Sequence, residues 1–452
     1  MKKTAIYIIL SGWMLTGCGT YSRYHRPDLS MENLYSNLPT DADTTTLASL
    51  SWREMFTDPK LQSLIEMGLE RNTDLNVARL RVEAAEAALL TAKLSYLPSL
   101  GLNAEGNVSR QDGATAKAYN VGASASWELD IFGKLTAAKR GAAAALQGSR
   151  DYRQAVQTQL VATIADSYYT LAMLDAQMAI SNRTLENWQT TVRTLEALKK
   201  AGKSNEAGVL QAKANVMQLE SSLLSIRKSI SETENALSAI LAMPSHSIGR
   251  SNLAEAAFPD TVSIGLPLQL LSNRPDVRQA EMELAQAFYA TNAARAAFYP
   301  NITLSGALGW TNNGGGVIVN PGQWLFNAIG SLTQPLFNRG TNIANLKIAK
   351  SRQEEAKLLF QQSLLNAGKE VNDALTAWQT AKSQIEINAR QVETLCDAVR
   401  KTESLMRHSN TTYLEVLTAQ QSLLEAEVQQ LQTRFERIQS VIKLYHVLGG
   451  GM

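Results

Sequence analysis

The sequence predicts a mixed α and β membrane protein, in which a body of long antiparallel helices carries four strands that several chains pool into one transmembrane β-barrel. Three observations lead there. Residues 136–199 and 340–407 run without a proline and carry apolar side chains at every seventh position. Four shorter stretches alternate apolar with polar residues, the mark of a strand wet on one face only. The two halves of the chain also repeat one another at a constant offset.

Lys2 and Lys3 precede an apolar run, Ala5 to Leu10, which continues through Trp13, Met14 and Leu15. A charged start and so short an apolar run read as a signal peptide over 1–17. The run ends in Leu15-Thr16-Gly17-Cys18, which resembles the lipobox of bacterial lipoproteins. That resemblance implies cleavage before Cys18 and acylation of its thiol; acyl chains anchor weakly singly and firmly together. Gly19 follows, not the Asp that retains many Gram-negative lipoproteins at the inner membrane. Residues 18–58, with Pro27, Pro39, Asp41 and Asp43, read as a polar, irregular, lipid-anchored segment lying outside the helical body.

A helix is expected over 59–95. From Leu100, one face then carries Leu100, Leu102, Ala104, Gly106 and Val108, and the other Asn103, Glu105, Asn107 and Ser109. From Tyr119, the residues Tyr119, Val121, Ala123, Ala125, Trp127 and Leu129 oppose Asn120, Ser124, Ser126, Glu128 and Asp130. A second pair comes two hundred residues later. Ile302, Leu304, Gly306, Leu308 and Trp310 alternate with Thr303, Ser305 and Thr311. After a loop at Gly314–Gly316, Trp324, Phe326, Ala328, Gly330 and Leu332 alternate with Asn327, Ser331 and Thr333. Strands of about ten residues suit an outer membrane. Four of them cannot close a barrel, and lipid tolerates no open edge. Two copies would supply eight strands and three copies twelve, the latter wide enough to leave a lumen.

In the first long helix Ile164, Leu171, Met178, Leu185 and Val192 keep the heptad spacing; in the second Val371, Trp378, Ile385, Val392 and Val399 do, each 207 residues beyond its counterpart. Heptads of this kind pack helix on helix. The offset persists past the turns at 200–206 and 407–412, where Val209-Leu210-Gln211-Ala212 corresponds to Val416-Leu417-Thr418-Ala419. Helices over 206–243 and 412–447 follow, the latter carrying Leu417, Leu424, Leu431, Ile438 and Tyr445. A short helix over 275–297 precedes the second hairpin. The chain thus divides into a first helix–hairpin–helix repeat (59–243), a Pro- and Gly-marked equatorial linker (244–274), a second repeat (275–448) and a tail (449–452). Both irregular segments are expected to form a belt around the helices.

Composition excludes several classes. With 43 Lys+Arg against 41 Asp+Glu the net charge is +2, unlike a nucleic-acid binder with a basic surface. Two cysteines make no disulfide framework, and His25, His246, His408 and His446 share no ligand spacing, so no metal site or cofactor is expected and surface positions are expected for all four. Cys396 reads as a small buried hydrophobe. Phe132-Gly133-Lys134-Leu135-Thr136 lacks the upstream Gly of a P-loop, and neither a Gly-x-Ser-x-Gly elbow nor a His-Glu-x-x-His motif occurs. The sequence does not read as an enzyme.

The order of the remaining marks carries a resemblance. They are the lipobox, Tyr96-Leu97-Pro98 before a strand, Leu129-Asp130-Ile131-Phe132-Gly133 before a long helix, then Asn273-Arg274-Pro275-Asp276, Phe298-Tyr299-Pro300, Gln334-Pro335-Leu336-Phe337, Tyr413-Leu414-Glu415-Val416-Leu417 and Leu448-Gly449-Gly450-Gly451. Together they resemble the TolC-like outer-membrane efflux proteins, and most the lipoprotein branch that serves drug-efflux pumps. The resemblance implies a homotrimer in the outer-membrane lipid, with one shared twelve-stranded barrel over a long periplasmic helical tunnel. It also implies docking to a periplasmic adaptor and an inner-membrane transporter of the proton-driven drug-efflux type.

The expected role is a passive outer-membrane exit channel for drugs or other small toxic compounds. Alternatives are a channel for type I protein secretion or metal-ion efflux, or a lipid-anchored coiled-coil scaffold. In a channel the lumen would be lined by Asn103, Glu105, Asn107, Ser124, Ser126, Glu128, Thr303, Ser305, Asn327, Ser331 and Thr333. Trp127, Trp310 and Trp324 would sit at the lipid interface or between chains. Drug-efflux relatives close the periplasmic entrance with a Leu, an acid four residues on and an Arg three beyond. The matching positions here are Leu414, Thr418 and Gln421. The hydrophobic ring is kept and the charged lock is not, with Glu415 and Glu206 close by as sources of negative charge.

Overall fold

The structure is a computed structural model and describes residues 22–27, 50–202, 205–256, 258, 274–311, 323–407 and 413–450. The signal peptide, Cys18, His408 and the Gly314–Gly316 loop lie outside the described residues. In chain order the elements are α1 (Trp52–Met55), α2 (Pro59–Arg71), α3 (Thr73–Leu94), β1 (Ser99–Gln111), β2 (Ala114–Leu129), α4 (Lys134–Lys200), α5 (Glu206–Ile240), α6 (Pro275–Ala296), β3 (Asn301–Thr311), β4 (Gln323–Thr333), α7 (Thr341–Arg407) and α8 (Tyr413–Val447), with a 3₁₀ turn at Leu253–Glu255. The offset of 207 holds at both ends of the long helices, since α4 and α7 each have 67 residues, and again for α5 and α8, with 35 each.

The chain forms two compact units. One comprises Leu80–Tyr152 and Arg278–Ser363 with the segment around residues 22–27. Its four strands make one antiparallel sheet in the order β1-β2-β3-β4. The alternation predicted all four strands but missed the start of β2, which begins at Ala114. The missed signal is Asp112-Gly113, a two-residue turn with φ of 50° and 84°. Positive φ at both central residues matches the twist of the flanking strands and fixes their register. At the exit of β2, the Asp130 carboxylate accepts from the amides of Leu135 and Thr136, both at 2.8 Å, and so caps α4. Phe132 stacks on Tyr299 with ring centroids 5.0 Å apart. Beside α6, the guanidinium of Arg278 donates to Asp151, 2.5 Å away, and Arg26 pairs with Glu281.

The other unit comprises the described residues within 50–79, 153–277 and 364–450 and holds the main core. Heptad positions Ile164, Leu171, Val371, Leu431, Ile438 and Tyr445 are buried there. Further along the same stripes Met178, Leu185, Val192, Ile385, Val392, Val399 and Leu424 are only half-buried. The stripe is therefore closed in the main core, half-buried beyond it, and closed again at Leu417.

Three expectations need correction. The helix expected over 59–95 breaks at Asn72, whose amide donates to the Ile240 carbonyl (2.8 Å) while its Oδ1 accepts from Leu75 N–H (3.0 Å). One side chain thus satisfies backbone groups on two elements, which a continuous helix could not expose. Residues 50–58 are not an irregular outer strap, because Trp52, Met55 and Phe56 enter the core, as do Ile248 and Leu253 of the linker. Their apolar side chains are too widely spaced in sequence to show a period. Finally, Cys396 and His446 are both half-buried, the one less enclosed and the other less exposed than expected, whereas His25 and His246 are exposed.

Asp58 ties the segment that precedes α2 to the core. It caps α2 through the Lys60 amide (2.9 Å), and Tyr168, itself buried, donates its hydroxyl to the carboxylate at 2.5 Å. Burial pushes the Asp58 carboxyl up, but hydrogen bonds from Tyr168, Lys60, Ser251 and Leu61 outweigh it and hold the pKa below the ordinary carboxylate value. The Tyr168 hydroxyl is pushed up to about 12 by burial and then by its bond to Asp58. A carboxylate with a depressed native pKa stabilises the fold above its unfolded value of ~4 and loses that contribution as pH falls through the native pKa. Asp58→Asn should therefore lower the melting temperature at pH 7 and shrink the loss between pH 5 and pH 2. Thermal melts of wild type and variant across that range check it.

Candidate functional site: a strand face and a helical tip

In the sheet unit, directly paired residues of an antiparallel ladder point to the same side. The register places Ser126 opposite Ser305, Glu128 opposite Thr303, and Thr303 opposite Ser331. Asn327 faces Ala307 and Glu105 faces Asn120. By this parity all eleven predicted polar residues share one face. Asn103 donates its amide to the Ser124 hydroxyl across β1 and β2 at 3.2 Å. The face is not uniformly polar, for Leu325 and Ile329 of β4 lie on it opposite Gly309 and Ser305. Its two predicted carboxylates differ. Glu128 is paired with Lys134 at 2.8 Å, whereas Glu105 has no ion-pair partner among the described residues.

The opposite face presents large apolar side chains outward, with Leu102 89% and Phe326 78% exposed. Trp310 and Trp324 are register partners and their rings lie 4.6 Å apart. Trp127 donates its indole N–H to the Tyr96 carbonyl at 2.9 Å. A sheet with one polar and one exposed apolar face suits a wall between water and lipid.

In the helical unit, the turn after α4 has Gly202 at φ 70° and closes on Asn205, which caps α5 by accepting from Gly208 N–H at 3.0 Å. Leu195, Val209, Ala212 and Leu417 form a small buried cluster, with Val192 and Tyr413 packed on it. The Tyr413 ring lies where a Cβ on residue 208 would be, with ring atoms about 2 Å from that position. Only glycine admits the ring so close. Leu414 is 54% exposed, and Glu415, Thr418 and Gln421 are exposed beside it. The Thr418 hydroxyl donates to the Leu414 carbonyl (2.9 Å) and Gln421 donates to Glu425 (3.1 Å), both within α8. Glu206, expected as a source of negative charge, is paired with Lys199. Four of the predicted tip residues, Leu414, Glu415, Thr418 and Gln421, thus share the start of α8, and Glu206 opens α5; the sequence pattern assigned no role at the tip to Gly208 or Lys199, nor the seat of the Tyr413 ring. The repeat offers a signal for Gly208, since its equivalent is Glu415 and the two tips cannot pack alike.

Gly208→Val should expel Tyr413 from its seat. Faster amide hydrogen exchange is expected over 206–213 and 413–420, with exchange in the core around Ile164 and Tyr445 unchanged.

The family model described as outer membrane efflux protein matches residues 64–243 and 266–450. The chain is 31% identical over 449 residues to the cation efflux system protein CusC of Escherichia coli O6:H1, covering 97% of this chain and 96% of the relative. It is 29% identical over 456 residues to the solvent efflux pump outer membrane protein SrpC of Pseudomonas putida, again over 97% and 96%. The crystal structure of the open state of the Neisseria gonorrhoeae MtrE outer membrane channel superimposes with a TM-score of 0.84 at 29% identity, over 95% of this chain and 98% of that one. The two-faced sheet, the paired long helices and these matches agree: the chain belongs to the outer membrane efflux protein family.

Proposed function

We propose that three copies of this chain form the passive outer-membrane duct through which a tripartite pump expels drugs and other small toxic compounds. Supporting the duct is one observation above all: a sheet whose polar side chains share one face while large apolar side chains cover the other. In this reading the polar face, Asn103 to Thr333, lines the lumen. A periplasmic adaptor couples the duct to a proton-driven inner-membrane transporter, and acylated Cys18 anchors each chain. Metal-ion export is the second reading, favoured by the 31% identity to a relative named for cation efflux. Deleting the gene and scoring growth against hydrophobic antibiotics, organic solvents, copper and silver separates the two. Sensitisation to antibiotics or solvents alone supports the first reading; sensitisation to the metals alone overturns it.

In the same reading Leu414 closes the entrance. Three exposed leucines meeting on an axis would form a dry constriction that water wets only when it widens. Thr418 and Gln421 are neutral and already bonded along their own helix, so removing them breaks no buried charge pair. Leu414→Ala should raise resting single-channel conductance severalfold in planar bilayers. Thr418→Ala and Gln421→Ala should leave it near the wild-type level. An open Thr418→Ala channel beside a closed Leu414→Ala channel would contradict a hydrophobic gate.

A further inference from the structure

A cavity of about 470 Å³ lies between α4, α7 and α8 in the helical unit, behind the tip. Two buried polar atoms that line it have no partner among the described residues: the indole N–H of Trp188 and the side-chain carbonyl of Gln420. These side chains are only 6% and 8% exposed. A buried donor and a buried acceptor left empty cost stability unless something fills them. The Gln420 amide cannot be turned round to help. Its NH₂ donates to the Glu403 carboxylate at 3.0 Å, and reversing it would set two acceptors against each other.

The internal repeat shows what is missing. Counting back 207 residues, Gln420 corresponds to Lys213 and Glu403 to Glu196. In the first half those residues form an ion pair at 2.7 Å. In the second half the acid is retained and the ammonium is replaced by an amide. Three charged side chains line the cavity, and Arg183 and Glu427 neutralise each other at 2.8 Å. Glu403 remains as the unbalanced charge. Asn187 and the threonines of α4 make much of the remaining wall polar, and it is apolar where Trp188, Met406 and Leu424 meet it.

We propose that this cavity binds an amphiphilic organic cation, whose ammonium takes the place held by Lys213 in the other half. The ammonium would donate to Gln420 Oε1 and Glu403, an oxygen of the ligand would accept from the Trp188 N–H, and an aromatic body would rest on the indole and Leu424. The cavity volume falls in the range of small-molecule sites, ~300–1,000 Å³. The site does not depend on which compounds the duct exports, because it lies between helices of one chain.

The test uses the full-length protein in lipid nanodiscs, with propranolol as probe. Propranolol carries a secondary ammonium, a hydroxyl and a naphthyl ether; neutral 1-naphthol keeps the ring and its oxygen without the ammonium, and 1-naphthoate sets an anionic carboxylate on the ring. Calorimetry should give propranolol at least ~10-fold tighter binding than 1-naphthol, in line with hydrogen bonds to charged groups, and none for 1-naphthoate. In protein labelled with 5-fluorotryptophan, the Trp188 resonance, identified by its absence in Trp188→Phe, should shift to saturation. Gln420→Lys restores the ion pair of the first half, so it should abolish binding while keeping or raising the melting temperature. Should that variant misassemble, Gln420→Met, which keeps the length and removes the acceptor, should weaken binding ~5-fold or more. Equal affinity for the cation and 1-naphthol, an unmoved Trp188 resonance, or wild-type affinity in an assembled Gln420→Lys or Gln420→Met variant would each overturn the proposal.

Discussion

The structure depends on the rule that a backbone N–H or C=O in lipid must find a partner inside the protein. The order β1-β2-β3-β4 satisfies the inner edges and leaves β1 and β4 each with an outer edge that pairs with no strand of the described residues. Such edges cannot remain bare in a bilayer, so other copies must complete the ladder. Three copies with four strands each close a twelve-stranded barrel. Trimerisation is then a condition of insertion rather than a later association of finished monomers. A one-residue slip would exchange the two faces of a strand, bringing Phe326 and Leu102 to the side that now carries Glu128.

What pools the strands must also hold their ends in register, and local caps do this. Asp130 fixes the first amides of α4 immediately after β2, so the strand exits directly into a helix. Along α7, Ile343, Ile348, Leu358, Leu359 and Leu365 are exposed in the single chain. Apolar area of this kind on a helix is what a partner surface covers. The half-buried continuation of the heptad stripes follows the same logic: these side chains are laid out for neighbours that one chain does not contain.

Much of this was legible in the sequence because it is periodic. Period two marked the four strands and assigned all eleven polar residues to a common face, and the heptads marked α4 and α7 to within a few residues. Features set by single residues were missed. Asn72 splits a helix through two side-chain hydrogen bonds, and no proline or glycine announces it. Trp52 and Phe56 sit in a stretch that reads as polar, yet a four-residue helix is enough to bury them. The Asp112-Gly113 turn was overlooked because the alternation changes phase over Ala114–Ala118, where alanines fall on the polar side and Thr115 and Lys117 on the apolar side. At the tip, Lys199 neutralises Glu206 across a turn, a pairing that sequence spacing alone does not reveal.

The two repeats differ in length only where helical geometry permits it. From α3 to α6 the offset is 202 residues, whether measured at Thr73 and Pro275 or at Leu94 and Ala296. From α4 to α7 it is 207 at both ends. All five additional residues therefore enter between α6 and α7, within the hairpin and its exit. Inside a long helix one inserted residue would rotate every later side chain by about 100° and turn the heptad stripe away from its partner. A hairpin absorbs the same insertion at its turn. The connection between β3 and β4 spans residues 312–322, against two residues between β1 and β2. Divergence inside the helices has instead proceeded by substitution at fixed register, as at Gly208 against Glu415 and Lys213 against Gln420. The helical repeat thus specialises one tip against the other through side-chain chemistry at a fixed register.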